Sequence, residues 1–429
     1  MLKTLLYSLL KYFSKKIINK YHPDVIGITG SIGKSSTKEA IAAVLENKFN
    51  VRKSQKNYNN EVGVPLTIIG VEKTPGSYIF GWLGVFLKAK NLLFIKDKNY
   101  PEILILEMGA DKPGDIPYLV DIAPCKIGVL TYISHAHTEA FKTIKKIAQE
   151  KRIIISHLQR DGFAVLNFDN ELVMQNANTT KAEIITYGFK DGSDFRATDV
   201  NIIIDEQTNW PTGLNFKLNF KGNIVPVFLL GAVAEHLIPS ALAAIAVGNI
   251  LGVNLLDSVH SLRNLQPLPG HMCIIEGIKK TLLIDDTYNS SPEPTKSALS
   301  TLSKINIPIG SKRIAVLADM LELGSETENT HREIGFKVAE LGVDFLITVG
   351  EASKHTAIAA REAGLDDNQI VSFADSVSAG KFLQEKIHQG DVVLIKGSQG
   401  LRMEKIVKEV MAEPLEAAKL LVRQTKEWL

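Results

Sequence analysis

The sequence predicts an α/β protein: a P-loop parallel-sheet domain carrying an antiparallel β-rich edge, then a Rossmann-like α/β domain. Three observations predict this. The stretch GITGSIGKSSTKEAI, residues 27–41, sets a glycine-rich loop between an apolar run and a helical one. From Val25 onward, short runs of Ile, Leu and Val alternate with helical segments, the pattern of strands covered by crossover helices on both faces. And 429 residues are too many for one core, so two or more domains are expected.

The amino end, MLKTLLYSLLKYFSKKIINKYH, carries Lys3, Lys11, Lys15, Lys16 and Lys20 and no acidic residue. Leu2, Leu5, Leu6, Leu9, Phe13 and Ile17 recur at helical spacing and would share one face. The apolar stretch is too short to span a bilayer, and no small-residue cleavage site follows. Residues 1–22 are expected to form a basic amphipathic helix packed on the first domain with its lysines in water. Lying on an anionic membrane surface is the alternative.

DVIGITG reads as a strand feeding the loop, and STKEAIAAVLENKF as the helix after it. YIFGWLGVFLKAKNLLFI (78–95) is interrupted by Lys88 and Lys90, so a buried or interfacial helix fits it better than a transmembrane one. EILILEMG (102–109) and KIGVLTYI (126–133) read as doubly buried strands. AEIITYGF, DFRATDVNIII and GLNFKLNFKGNIVPVFLL read as antiparallel edge strands, closed by the helix AEHLIPSALAAIAVGNIL. The Pro- and Gly-bearing NLQPLPGH (264–271) reads as a linker. The strands TLLIDD, RIAVLAD, DFLITVG and DVVLIKG then make a second doubly wound unit without the dinucleotide fingerprint. The expected divisions are residues 1–22, 23–265 and 266–429.

The loop carries the chemistry most plainly. A phosphate cradle needs glycines that let backbone N–H groups converge, a lysine for the outer phosphates and a hydroxyl for Mg²⁺. Gly30, Ser31, Ile32, Gly33, Lys34, Ser35 and Ser36 supply these in order, although the strict pattern would place glycine at Ile28. Glu107 ends an apolar strand at the sheet edge where α/β proteins bind ligands, and is read either as a metal ligand or as a solvated strand end. The next strand end leads to SHAHTE, with His135 and His137 on one loop. Lys151 by itself would pass as a surface lysine. SQKNYNNEVGVP (54–65) and DDTYNSSPEP (285–294) could be a turn and a helix cap. A net charge of +2 gives no general attraction to nucleic acid, and Cys125 and Cys273, far apart, fit a reduced cytoplasmic protein.

Taken together, GITGSIGKSSTKEAI, NYNNEVGVPLTI, LEMGADKPGDI, DDTYNSSP, ADMLELGSE and KGSQGLRMEKIV, in this order, resemble the Mur ligases. That family forms amide bonds with ATP in peptidoglycan synthesis. The closest branch adds D-Ala-D-Ala to the carboxylate of a UDP-muramoyl-tripeptide through an acyl phosphate. The resemblance implies that Lys34 and the loop amides bind ATP, that Ser35 and Glu107 hold Mg²⁺, and that His137 ligates a second Mg²⁺. It implies that Lys151 is carbamylated and binds metal, so that Lys34, His137 and Lys151 are the catalytic set. His271, Asp285 and Asn289 would approach the nucleotide, and Asn59, Asn60, Asp286 and Tyr288 the substrates. The chain is expected to act as a monomer.

The sequence departs from the family in places. His271 stands for the arginine of PGRM, Leu237 and Ser240 for asparagines after His236, and Gln399 for the arginine of KGSR. The family usually opens with a domain that binds UDP, whereas a short helix precedes Gly27 here. A lipid-linked or other non-UDP acceptor, and an inactive nucleotide-binding scaffold, stay open beside the main reading.

Overall fold

The structure is a computed structural model that describes residues 2–55, 58–76, 79–134, 138–425 and 428. Its first sheet has nine strands: β1 (Asp24–Thr29), β2 (Val51–Lys53), β3 (Ile103–Glu107), β4 (Ile127–Leu130), β5 (Phe163–Asn167), β6 (Glu183–Gly188), β7 (Phe195–Ile204), β8 (Pro211–Phe220) and β9 (Asn223–Leu230). They lie in the order β2-β3-β1-β4-β5-β6-β7-β8-β9. The pairs from β2 through β7 are parallel, and β7–β8 and β8–β9 are antiparallel.

Successive side chains of a strand face opposite sides, and here both sides are apolar. Ile26, Ile28, Ile103 and Ile105 join a core with α2 (Lys34–Leu45) and the helix Ile238–Ile250. Val25, Leu104 and Leu106 join another, beneath α1 (Leu2–Tyr21), α3 (Gly63–Ile69), α4 (Ile79–Phe94) and α5 (Asp115–Ile122). A sheet buried on both faces leaves its carboxyl edge as the place where polar groups can gather.

Three expectations are corrected. AEIITYGF forms β6, but β6 runs parallel to β5, as Phe163 opposite Glu183 through Asn167 opposite Tyr187 shows. Its pairing with β7 is also parallel and covers only Tyr187–Phe195 and Gly188–Arg196, so β7 runs on past the end of β6. Direction is set by the connection, which composition does not record. Strands β2 and β5, unassigned in the sequence reading, complete the parallel sheet; β2 has only three residues, all half-buried. The third correction concerns α1. Leu6, Phe13 and Ile17 pack inward with Leu10, whereas Leu5 and Leu9 face outward. The apolar residues cover more of the helix than its packed face, which centres nearer Leu10, Ser14 and Ile17.

The second sheet comprises β10 (Cys273–Gly277), β11 (Thr281–Asp286), β12 (Arg313–Ala318), β13 (Phe345–Val349), β14 (Ile370–Phe373) and β15 (Val392–Lys396), in the order β10-β11-β15-β12-β13-β14. All its pairs are parallel except β10–β11. Residues 264–271 connect the two sheets. No helix among the described residues is long and apolar enough to cross a membrane.

Candidate functional site

Strand β1 delivers the chain to Gly30, where a side chain cannot fit. A Cβ there would lie 1.9 Å from Thr131 Oγ1 and 3.0 Å from the Tyr132 nitrogen. Gly33 is left-handed, with φ 82°, and caps α2. The loop between them is tied to the chain after β4. Ser31 N–H donates to the Tyr132 carbonyl (2.6 Å), and Thr131 Oγ1 donates to the Ile32 carbonyl (2.6 Å). Ser31 Oγ donates to the Ser134 carbonyl (3.2 Å). The start of α2 therefore presents N–H groups at a fixed place, with the positive end of the helix dipole behind them.

Three charged side chains converge on this loop. Lys34 Nζ donates to the Gly30 carbonyl (2.9 Å), and Lys151 Nζ, at the end of the helix Ile144–Lys151, donates to the same oxygen (3.0 Å). Glu107, buried at the end of β3, accepts from Ser35 Oγ (2.9 Å) and Asn59 Nδ2 (3.1 Å). Its Oε2 also lies 3.7 Å from the buried Lys38 Nζ. Glu107 is thus held by neighbours rather than solvated, and Ser35 and Glu107 offer adjacent oxygen donors of the hard type that Mg²⁺ takes.

Burial lowers both lysines. In Lys34 the effect of desolvation outweighs the attraction of Glu107 and Asp111. Lys151 is driven down to about 7, first by desolvation and then by the positive charge of Lys34. Such an amine is substantially neutral near pH 7, which makes it a nucleophile rather than an ordinary surface cation.

Beside Asn59, the residues Asn60, Glu61, Gly109, Asp111, Asp115 and Tyr118 line a small cavity. Asn60 Oδ1 accepts from the Val62 and Gly63 N–H groups (3.2 and 2.9 Å), so it shapes the turn into α3. Gly109 follows Asn59 closely: a Cβ there would lie 2.9 Å from the Asn59 amide carbon. His135 and His137 lie outside the described residues. Among the described residues, no three His, Cys, Asp or Glu side chains gather as a metal cluster.

The second sheet brings its own carboxyl edge toward this site. Asp286, at the end of β11, pairs with Lys396 at 2.7 Å, and both are buried. Lys396 Nζ also donates to the Asn289 carbonyl (2.9 Å), fixing the turn after β11, while the Asn289 side chain is exposed. Asp285 is fully buried; it accepts from Thr287 Oγ1 (2.6 Å), and its Oδ2 has no partner among the described residues. Desolvation pushes it up to about 7 against the Thr287 hydrogen bonds. His271 stacks on Tyr288, ring centroids 4.5 Å apart, and Nδ1 faces the Pro269 carbonyl at 3.0 Å. Burial raises the Tyr288 phenol, with the Glu107 carboxylate as the next cause, which places the two within electrostatic reach. Arg423 donates to the Thr287 and Tyr288 carbonyls and braces the same turn.

Sequence reasoning missed Lys38, Thr131, Lys396 and Arg423. Lys396 had a signal, a cation at the end of an apolar strand, but its partner lies 110 residues away. Ser240, noted only as a departure from the family, receives a hydrogen bond from Thr37 Oγ1 at 3.1 Å and so anchors α2.

The chain is similar to known proteins. Residues 28–80 and 87–248 match the Mur ligase middle domain, and residues 272–399 match the Mur ligase glutamate ligase domain. UDP-N-acetylmuramoyl-tripeptide–D-alanyl-D-alanine ligase of Bacillus subtilis (strain 168) is 28% identical over 406 residues, covering 95% of this chain and 80% of the relative. The Synechocystis enzyme of the same name is 32% identical over 391 residues, covering 91% and 75%. Among solved structures, the MurF ligase of Thermotoga maritima in complex with ADP superposes with a TM-score of 0.77 at 26% identity, over 96% of this chain and 84% of that one.

Proposed function

The chain belongs to the Mur ligase family, and we propose that it joins D-alanyl-D-alanine, or a closely similar dipeptide, to the carboxylate of a muramoyl-tripeptide through an acyl phosphate. The single observation that carries this reading is the convergence of Lys34, Lys151 and the Ser35–Glu107 pair on the Gly30 loop. The activity for which the Bacillus and Synechocystis relatives are named supports the substrates.

The reaction must bring together two anions, a carboxylate and the γ-phosphate of ATP. In this reading the loop amides and Lys34 hold the phosphates, turning away from the Gly30 carbonyl to do so. Ser35 and Glu107 would hold Mg²⁺, which when bound supplies charge neutralisation between the two anions. Asn59 fixes the Glu107 carboxylate from the acceptor side, and Asn60 shapes the wall along which the peptide lies. Lys151, neutral enough to take up CO₂, becomes a carbamate: the amine nitrogen bonds carbon and releases one proton. With His137, that carbamate would offer a second metal its ligands. Roles divide at residues 265 and 266, and the linker lets the second sheet close over the first. Asp285, Tyr288, Asn289 and His271 then approach nucleotide and incoming amine and exclude water from the acyl phosphate. Asp286 acts through its pair with Lys396, which holds that segment in position.

The test is orthophosphate release with ATP, Mg²⁺ and D-Ala-D-Ala, with and without UDP-N-acetylmuramoyl-tripeptide, alongside Lys34→Ala. Release that needs both partners and vanishes in the variant is expected. ATP binding without such release would overturn the proposed acceptor.

A further inference from the structure

Helices α1 and α4 lie side by side on the first sheet and run the same way. Phe13 meets Phe86 with ring centroids 5.7 Å apart, and one helical segment later Lys20 Nζ reaches the Leu92 and Leu93 carbonyls (2.8 and 3.0 Å). Their inner faces are packed through Leu10, Ile17, Val85, Ala89 and Leu92. Among the described residues, nothing packs on their outer faces. On α4, Phe80 is 84% exposed, Leu83 52%, Leu87 57% and Phe94 77%. These four fall within roughly 60° of arc at 3.6 residues per turn. Leu5 (59% exposed), Leu9, Tyr12 and Lys16 make an equally narrow stripe on α1. Exposed apolar side chains lined up on two neighbouring helices mark a binding face.

The charges say what covers it. Residues 2–21 and 79–96 contain no Asp or Glu but eight lysines: Lys3, Lys11, Lys15, Lys16, Lys20, Lys88, Lys90 and Lys96. Lys11 and Lys15 are engaged by Asp121. Lys88 and Lys90 flank the α4 stripe on opposite sides. Lys16 and Lys90 lie over the Tyr12 and Phe94 rings, at 5.9 and 5.8 Å. Apolar and aromatic residues along one line with lysines at the margins suit a helix lying in a lipid interface. A second copy of this face would set lysine against lysine, whereas an anionic headgroup layer complements it.

We propose that α1 and α4 together dock the protein on an anionic lipid surface, with Phe80, Leu83, Leu87, Phe94, Leu5 and Leu9 entering the headgroup–acyl boundary. Tyr118, in the wall of the cavity beside Asn59, donates to the Tyr7 carbonyl of α1 (3.3 Å), which ties this helix to the site.

The experiment is flotation of the full chain with vesicles of phosphatidylcholine alone or of phosphatidylcholine with phosphatidylglycerol, for wild type, Phe80→Ser/Leu87→Ser and Lys16→Gln/Lys90→Gln. These positions are exposed, and unchanged thermal unfolding verifies that the variants fold. Wild type is expected to float with the anionic vesicles and much less with the neutral ones. The lysine variant should partition about thirty-fold more weakly, the factor that two lysines near an anionic surface contribute, and added salt should weaken wild type likewise. The apolar variant should lose flotation at all salt concentrations. Absence of wild-type flotation on anionic vesicles would overturn the proposal. So would equal flotation on both vesicle types, or a concentration-dependent dimer abolished by Phe80→Ser/Leu87→Ser without vesicle binding.

Discussion

Removing the Lys151 ammonium by Lys151→Met separates what that lysine does for folding from what it does for chemistry. With its amine at about 7 rather than 10.5, the folded protein is neutral at this site between those values, while the unfolded chain is charged. The unfolded state then binds more protons, so stability should rise with pH across that window. In CO₂-free buffer the displacement opposes folding by about 4 kcal/mol at pH 7, where most of it is present. Lys151→Met keeps the apolar stem and drops the charge. Its unfolding temperature should exceed that of wild type by roughly 10 °C at pH 7, at roughly 2–4 °C per kcal/mol, with the difference shrinking toward pH 10. Activity should move the other way. About half the amine is neutral at pH 7, on the order of a thousandfold more than in a free lysine, so bicarbonate should restore phosphate release to CO₂-depleted wild type. Lys151→Met should stay inactive under both conditions. Differential scanning calorimetry across pH and a coupled phosphate assay make the measurement. A wild type whose stability is flat from pH 7 to 10, with Lys151→Met no more stable, would refute the burial argument; activity indifferent to CO₂ would refute the carbamate.

Ser35→Ala and Glu107→Gln should each fold and lower kcat about a hundredfold, the scale of losing one charge-stabilising group. The Mg²⁺ concentration for half-maximal rate should rise, as a metal titration would read. Gly30→Ala should abolish ATP binding by calorimetry and lower the unfolding temperature, because its methyl would meet Thr131 Oγ1; adding Thr131→Ala should recover part of the stability. Lys396→Met leaves Asp286 buried without its partner and should cost about 3–5 kcal/mol in denaturant unfolding. The double variant Lys396→Met/Asp286→Leu should regain most of it.

Local order determined much of this protein in advance. The 27–41 stretch had to be a strand, a loop and a helix, because glycines at 30 and 33 between an apolar run and a helix former leave few other backbones. Doubly apolar runs such as ILILE had to be interior parallel strands, since no face of them can meet water. The hairpin of β8 and β9 was legible from its alternation. The direction of β6 was not, because orientation depends on the path of the connection rather than on the strand's residues. The burial of Glu107 and Lys151 was not legible either, since a carboxylate or an amine carries the same letter in water or in a core. Only the tertiary structure brought Lys34, Lys151 and Gly30 together and placed Asp286 against Lys396, because these contacts join residues up to 121 positions apart. It also turned Leu5, Leu9, Phe80 and Leu87 outward. An apolar stripe names a helix, but which part of it is covered depends on what packs there.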